Sequence, residues 1–412
     1  MIDKRMFSGL KVLKVLSRDA KILVFTRAIR SFSAAILTVG FSIYLSKLGA
    51  SPVAIGLVFT GSSLFSAFRS FLEGVVADRY GRKPLLLYTA GLMVAGGAVF
   101  SVTRSLPVLM FTAVLFSVGG RLTFTPAEQA MLTEKVSSED RTTAFSINSF
   151  LGTIASAFGS FAAGLPELLQ ARGVPEIASY RPIFIIFALA GAITLVFFTF
   201  IEETIDTTGE VDDGEEAEEM SVDERALLMK WSGVVAVDII GGSFIGNFLS
   251  YWFYLRFGVG PGKIGTLFGA SRFLAAFSYV LGLKMAERVG TIRATVLSRI
   301  PVVAVNVLTP LVPSYTVAAL LRGFMSLFSM IDVPLRQSYL MGVIKSRRRA
   351  SAAGVVTVVS RATSAAAPFL TGYFIEYVSM ALPFYIAASF QLASAGLMYF
   401  LFKDIRPPEE EN

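Results

Sequence analysis

FLEGVVADRYGRKPLLLYTAG, residues 71–91, places Asp78, Arg79, Arg82 and Lys83 within six positions, beside Gly74 and Gly81 and between two apolar runs. Charge gathered this tightly in an apolar chain reads as a turn joining two membrane spans. The two glycines allow a tight turn and close helix approach there. The wider composition agrees. Of 412 residues, 54% are hydrophobic and only 16% are charged, against roughly a quarter charged in soluble domains. The mean hydropathy is +0.65. There is no cysteine and no histidine, which excludes disulfides, thiolate or imidazole metal sites, Ser-His-Asp chemistry and histidine proton relays. Any proton-handling group is therefore expected to be a carboxylate, with Lys or Tyr second. No metal or other cofactor is expected.

Apolar runs of about 20 residues, read between charged or Pro/Gly breaks, predict twelve spans: 22–48, 52–78, 83–103, 107–133, 140–170, 181–201, 230–256, 263–287, 292–313, 315–342, 349–376 and 380–402. With both termini cytoplasmic, 21 Lys and Arg fall in cytoplasmic segments and five (Lys47, Arg104, Arg172, Arg181 and Lys263) in external loops. This excess sets the orientation and puts the opening stretch on the cytoplasmic side, between spans two and three. Residues 1–21 alternate bases with Leu and Val and read as an amphipathic segment lying on the membrane surface. From Glu202 to Glu224 there are twelve acids and no base, so 202–229 is expected to be an acidic cytoplasmic linker between the bundles 22–201 and 230–402; 403–412 is a tail. The bases adjoin apolar spans, so anionic lipid is their expected neighbour and nucleic acid is not implied.

The two halves repeat. At an offset of 209, 55–81 aligns with 264–290, with Ile55, Gly56, Phe59, Ser62, Ala67, Phe68, Ala77, Arg79 and Gly81 among the identities and Asp78 matched by Glu287. At an offset of 208, PAEQAML (126–132) aligns with PLRQSYL (334–340), Arg141 falls on Arg349 and Gly164 on Gly372. The fold class expected is an all-α membrane protein of twelve helices in two pseudo-symmetric six-helix bundles.

Two six-helix repeats, an acidic linker and the turn GVVADRYGRK, similar to the signature G-x-x-x-D-R-x-G-R-[RK], resemble the major facilitator superfamily of secondary transporters, in particular its drug–proton antiporter and arabinose-efflux-permease type members. The resemblance covers the whole chain. It implies a gate loop of Gly74, Asp78, Arg79, Gly81, Arg82 and Lys83, with Glu287 and Arg288 as the repeat counterpart. It also implies a contact of Asp78 with the start of span eleven near 349–353. Glu134 is the acid nearest to Arg82. The antiporter pattern is kept at Gly120 and Pro126, but Phe116 stands at the Arg position, with Arg121 five residues on. GSFAAG (159–164) replaces the span-five GPxxGG, and the related APFLTG (367–372) lies in span eleven.

Ionisable residues inside spans are costly and by default face the bundle interior. Spans three, six and twelve hold none, and Arg299 of span nine lies near a membrane face, where snorkelling suffices. From a rise of about 1.5 Å per residue, Arg121 and Arg361 lie near the midplane and Arg30, Arg69 and Arg272 within roughly 10 Å of it, while the acids lie nearer the cytoplasmic face. The expected substrate-binding residues are Arg30, Arg121, Asp238, Asn247 and Arg361. Coupling or ion-pairing falls to Glu73, Glu128, Asp332 and Arg336. Arg69–Glu73 and Asp332–Arg336 are spaced to pair within a helix, with Glu128 pairing to Arg336 or Arg361 across the halves. GGSFIGNF (241–248) either unwinds around a substrate or allows close packing. A secondary transporter for a small organic solute, amphiphilic or anionic, is the leading reading: efflux coupled to protons first, uptake or uniport of an organic anion second. It would work as a monomer in the bilayer of a prokaryotic cytoplasmic membrane. No P-loop is present for ATP drive. A membrane enzyme lacks a nucleophile or metal constellation, and a receptor or scaffold has no need of charge in its core.

Overall fold

The computed structural model describes residues 16–117, 125–136, 141–203, 222–332, 335–336 and 364–403, with backbone only at 70–80, 125–127, 130, 141–143, 222–225, 279–280 and 283. The described residues are helical, with no strand. In chain order the helices are α1 (Arg18–Lys47), α2 (Pro52–Tyr80), α3 (Lys83–Val102), α4 (Leu106–Leu115), α5 (Thr125–Glu134), α6 (Arg141–Ala162), α7 (Leu165–Gln170), α8 (Glu176–Ser179), α9 (Arg181–Thr199), α10 (Val222–Gly246), α11 (Leu249–Phe257), α12 (Pro261–Val289), α13 (Thr291–Leu308), α14 (Tyr315–Ser326), α15 (Ala367–Tyr377) and α16 (Leu382–Phe402). Eight stretches among the described residues are long and apolar enough to cross a membrane.

Local chemistry sets the helix starts. Ser17 caps α1 by accepting the Ala20 N–H at 3.2 Å. Proline stands in the first turn of α3, α4, α9, α12 and α16, where its missing N–H costs nothing. The repeat appears in the turns as well. Gly49 and Gly258 precede α2 and α12, Gly81 and Gly290 follow them, and all four have positive φ (94°, 62°, 84° and 83°). Each pair is 209 residues apart.

The chain forms two compact units. The first is Met1–Leu48, Phe65–Gly209 and Pro261–Gly269; the second is Gly49–Leu64, Glu210–Gly260 and Ala270–Asn412. Each unit thus takes in the tip of one helix from the other repeat. In the first, α1 packs along α6 and α9, and α3 along α9, over a core that includes Leu23, Leu86, Met131, Leu132 and Phe198. In the second, α10 and α13 pack along α16, around Trp231, Val234, Ile292, Met398 and Phe402. Large apolar side chains such as Phe111, Leu320 and Phe400 are exposed, as suits a surface facing hydrocarbon.

Four boundaries differ from expectation. The expected linker 202–229 ends early, because α10 begins at Val222 and continues into span seven; Asp238 therefore lies more than four turns into its helix. The expected amphipathic segment 1–21 gives its last residues to α1, while 1–15 lie outside the described residues. Span four is interrupted after Leu115, where Ser117 has φ 52°. Span five ends as a helix at Ala162 and resumes as the short α7.

Candidate functional site

Among the described residues, buried arginines and acids pair in one cluster in each unit, while Arg69 and Arg322 are buried elsewhere. In the first, Arg30 of α1 donates from Nη2 to Glu128 Oε1 of α5 at 2.7 Å. Its Nε donates to the Thr26 carbonyl at 3.2 Å, and its guanidinium lies over the Phe198 ring at 5.5 Å. Arg30 and Glu128 are 7% and 1% exposed, so the pair is withdrawn from water and electrically neutral, the state that burial demands. Where pairing of Glu128 with Arg336 or Arg361 was expected, its partner among the described residues is Arg30, and Arg361 lies outside them. Counting residues gave Arg30 and Glu128 different heights, and the long arginine side chain spans that difference.

In the second unit, four residues form a closed square. Arg299 Nη2 of α13 meets Asp238 Oδ2 of α10 at 2.6 Å and also pairs with Asp332. Arg336 Nη1 meets Asp238 Oδ2 at 3.2 Å, and its Nε lies 3.2 Å from Asp332 Oδ2. Two cations and two anions alternate, and the square is neutral. The expected Asp332–Arg336 pair is present. The snorkelling expected of Arg299 is corrected, since its guanidinium is buried between two aspartates.

The two clusters are related by the repeat. Arg30 and Asp238 are 208 residues apart, as are Glu128 and Arg336, the offset that relates Pro126 to Pro334. The first and fourth spans of each repeat are therefore joined by an ion pair at equivalent positions, with the polarity reversed. Applying the 208 offset to Arg30 reveals this from sequence alone, and that signal was missed.

Around the opening stretch, α2 ends at Tyr80, Gly81 makes the turn and α3 begins at Lys83. Glu203 accepts the Arg82 and Lys83 N–H groups at 3.0 and 2.8 Å and so caps α3. Lys83 Nζ donates to the Thr199 carbonyl at 2.9 Å. Arg82 is paired with Glu134, the acid at the end of span four that was expected as its nearest candidate. Nearby, Lys135 pairs with Asp19 at 2.9 Å. Glu203 was not singled out from sequence, because an acid in an acidic stretch carries no local signal of what it caps; Asp19, set among bases, carries no signal of the distant Lys135 that it meets. Glu287 and Arg288 lie exposed at the end of α12. The side chains of Glu73, Asp78 and Arg79, and all of Arg121, Arg361 and 349–353, lie outside the described residues, and of Gly74 only the helical backbone is described.

Asn247 stands in a break of span seven, between α10 and α11. Backbone freed inside a membrane needs a new partner, and here Thr371 Oγ1 donates to the Phe244 carbonyl at 2.9 Å. The close-packing reading of GGSFIGNF has a counterpart. Gly241 packs against the Ala387 carbonyl, where a Cβ would lie 2.9 Å away, while Gly242 and Gly246 face open space.

The chain is 24% identical over 397 residues to an uncharacterized membrane protein of Saccharomyces cerevisiae, covering 87% of this chain and 88% of that one. It is 31% identical over 105 residues to the multidrug resistance protein MdtH of Klebsiella pneumoniae, covering 25% of this chain and 26% of that one. Among solved structures, it is similar to a bacterial homologue of the human lysosomal transporter Spinster in an inward-facing, occupied conformation: TM-score 0.70, 15% identity, 93% of this chain and 95% of that one. The family model for the major facilitator superfamily matches residues 23–255 and 231–412. The chain belongs to the major facilitator superfamily.

Proposed function

We propose that this transporter exports a small amphiphilic or anionic organic solute from a prokaryotic cell, driven by protons, by alternating access as a monomer, with both termini cytoplasmic. The observation that carries the reading is the pair of neutral, buried ion pairs at repeat-equivalent positions, Arg30–Glu128 and Asp238–Arg336. A proton taken up by Glu128 leaves Arg30 without its counter-charge, and one taken up by Asp238 leaves Arg299 and Arg336 sharing Asp332 alone, in a medium where an unpaired ion costs several kcal/mol. The unit then has to change conformation, pair the arginine with an anionic group or give the proton back. Substrate and proton thereby contend for the same groups, which is the thermodynamic condition for coupling. Arg121 and Arg361, each without an acid one turn away in sequence, are proposed as further anion ligands, since a guanidinium binds carboxylate or phosphate in a planar fork. Asn247 belongs to the same proposal. Asp78 and its loop are assigned the cytoplasmic gate. Efflux is favoured by the stretch shared with a multidrug resistance protein. Uptake of an organic anion is the second reading, favoured by Phe116 where antiporters carry Arg.

The test is flux of a panel of labelled solutes in proteoliposomes, with and without a pH gradient. Glu128→Gln and Asp238→Asn are expected to cut gradient-driven flux at least about tenfold, as loss of one charged hydrogen bond implies, while exchange of substrate for substrate persists. Gradient-driven flux unchanged in both variants rejects the coupling assignment.

A further inference from the structure

The tips of α2 and α12, which the two compact units exchange, are held in the same way. Glu376 Oε2 of α15 accepts the Val53 N–H at 2.8 Å. Glu167 Oε1 of α7 accepts the Gly262 N–H at 3.1 Å. Val53 and Gly262 are 209 residues apart, as are Glu167 and Glu376, and as are Pro52 and Pro261, which open the two helices. Because proline lacks an N–H, residues 53 and 262 carry the first free donor of each helix, and a carboxylate is the acceptor best matched to that end. Backbone packing is paired too. A Cβ on Gly56 would lie 2.7 Å from the Pro368 carbonyl, and one on Gly265 would lie 2.2 Å from the Ser160 carbonyl. Each helix tip therefore lies flush on a segment of the opposite repeat and is pinned by one carboxylate.

We propose that Glu167 and Glu376 are positioning residues of an external gate, each pinning the tip of one exchanged helix so that the two release together when the external side opens. A carboxylate serving only to cap its helix would act at that helix alone. A gate component has to act on both tips, because alternating access opens a side in one concerted step. The inference rests on the transporter reading for its direction, but its test reads conformation and needs neither substrate nor gradient.

Hydrogen–deuterium exchange of the full chain in lipid nanodiscs measures the amides near Val53 and Gly262 directly. Glu376→Ala is expected to speed exchange about tenfold in 52–60, and to speed 261–269 as well. Glu167→Ala is expected to do the same in reverse. Since the two contacts share no residue, their effects multiply, and the double variant is expected to reach roughly a hundredfold. Glu→Gln keeps an acceptor oxygen and the side-chain shape, so it is expected to fall between wild type and Ala. It also stands in where an Ala variant fails to fold. Faster exchange confined to the helix whose carboxylate was changed overturns the gate and leaves two independent caps. Unchanged exchange at both tips overturns even the caps. A failed flux assay with coupled exchange at both tips would reject the transport reading and leave the gate standing.

Discussion

At the scale of single residues, the buried clusters are governed by charge balance. Removing one member of a buried ion pair strands its partner and costs about 3–5 kcal/mol. Arg299→Met is therefore expected to destabilise the second unit strongly, because it leaves Asp238 and Asp332 facing only Arg336. Adding Asp332→Leu restores neutrality and is expected to recover most of the loss. Thermal unfolding in detergent checks this: the single variant is expected to melt roughly 10 °C lower, and the double variant within a few degrees of wild type. Equal losses in both would show that packing, not charge, holds the square together. The reversed polarity of the repeats gives a sharper test. Arg30→Asp with Glu128→Arg reproduces in the first unit the arrangement found at Asp238 and Arg336. The doubly exchanged protein is expected to fold, and either single change to fail, judged by the yield of monodisperse protein.

At the scale of elements, the ends of helices decide more than their middles. The start of α3 depends on Glu203, which lies inside the acidic stretch read from sequence as a mere linker. Glu203→Ala is expected to cost about 1–2 kcal/mol and to speed amide exchange at Arg82 and Lys83 without affecting α10. Replacing 204–221 with a neutral Gly/Ser linker of equal length is expected to leave flux within a few-fold, since the stretch is too charged to pack. Extending the replacement through Glu203 is expected to lower flux and stability together. Equal behaviour of the two replacements would remove the cap from the account. The break at Asn247 follows the same logic. Thr371→Val keeps the shape but removes the donor to the Phe244 carbonyl, and is expected to cost about 1 kcal/mol.

At the scale of the whole molecule, the chain is built twice with compensating differences. The glycine turns, the opening prolines and the capping carboxylates recur at one offset, while the ion pair of spans one and four recurs with its signs exchanged. Asp78→Asn is expected to shift accessibility toward the cytoplasm, the opposite sense to that expected for changes at Glu167 and Glu376. A cysteine introduced near the cytoplasmic end of span eleven, in a chain with none of its own, reports this by labelling from that side. Unchanged labelling and flux would reduce the loop to a topological anchor.

The sequence by itself determined the membrane class, the repeat and the turn at Gly81. Each of these is legible along the chain without knowing its packing: the length of an apolar run, matches at a nearly constant offset, a glycine where φ must be positive. It also named nearly every residue of the two buried clusters, because an ionisable group inside a span is conspicuous wherever it points. Which group meets which was decided by the tertiary structure. Residue counting gives height along a helix axis, but it says nothing of azimuth, of the reach of an arginine, or of which neighbour a helix crosses. Arg30 finding Glu128, Arg299 closing a square instead of snorkelling, and Glu203 turning back to cap α3 all depend on those quantities. So does the docking of Glu167 and Glu376 on helices nearly a hundred or more positions away in sequence, since only packing brings a side chain to a distant backbone amide.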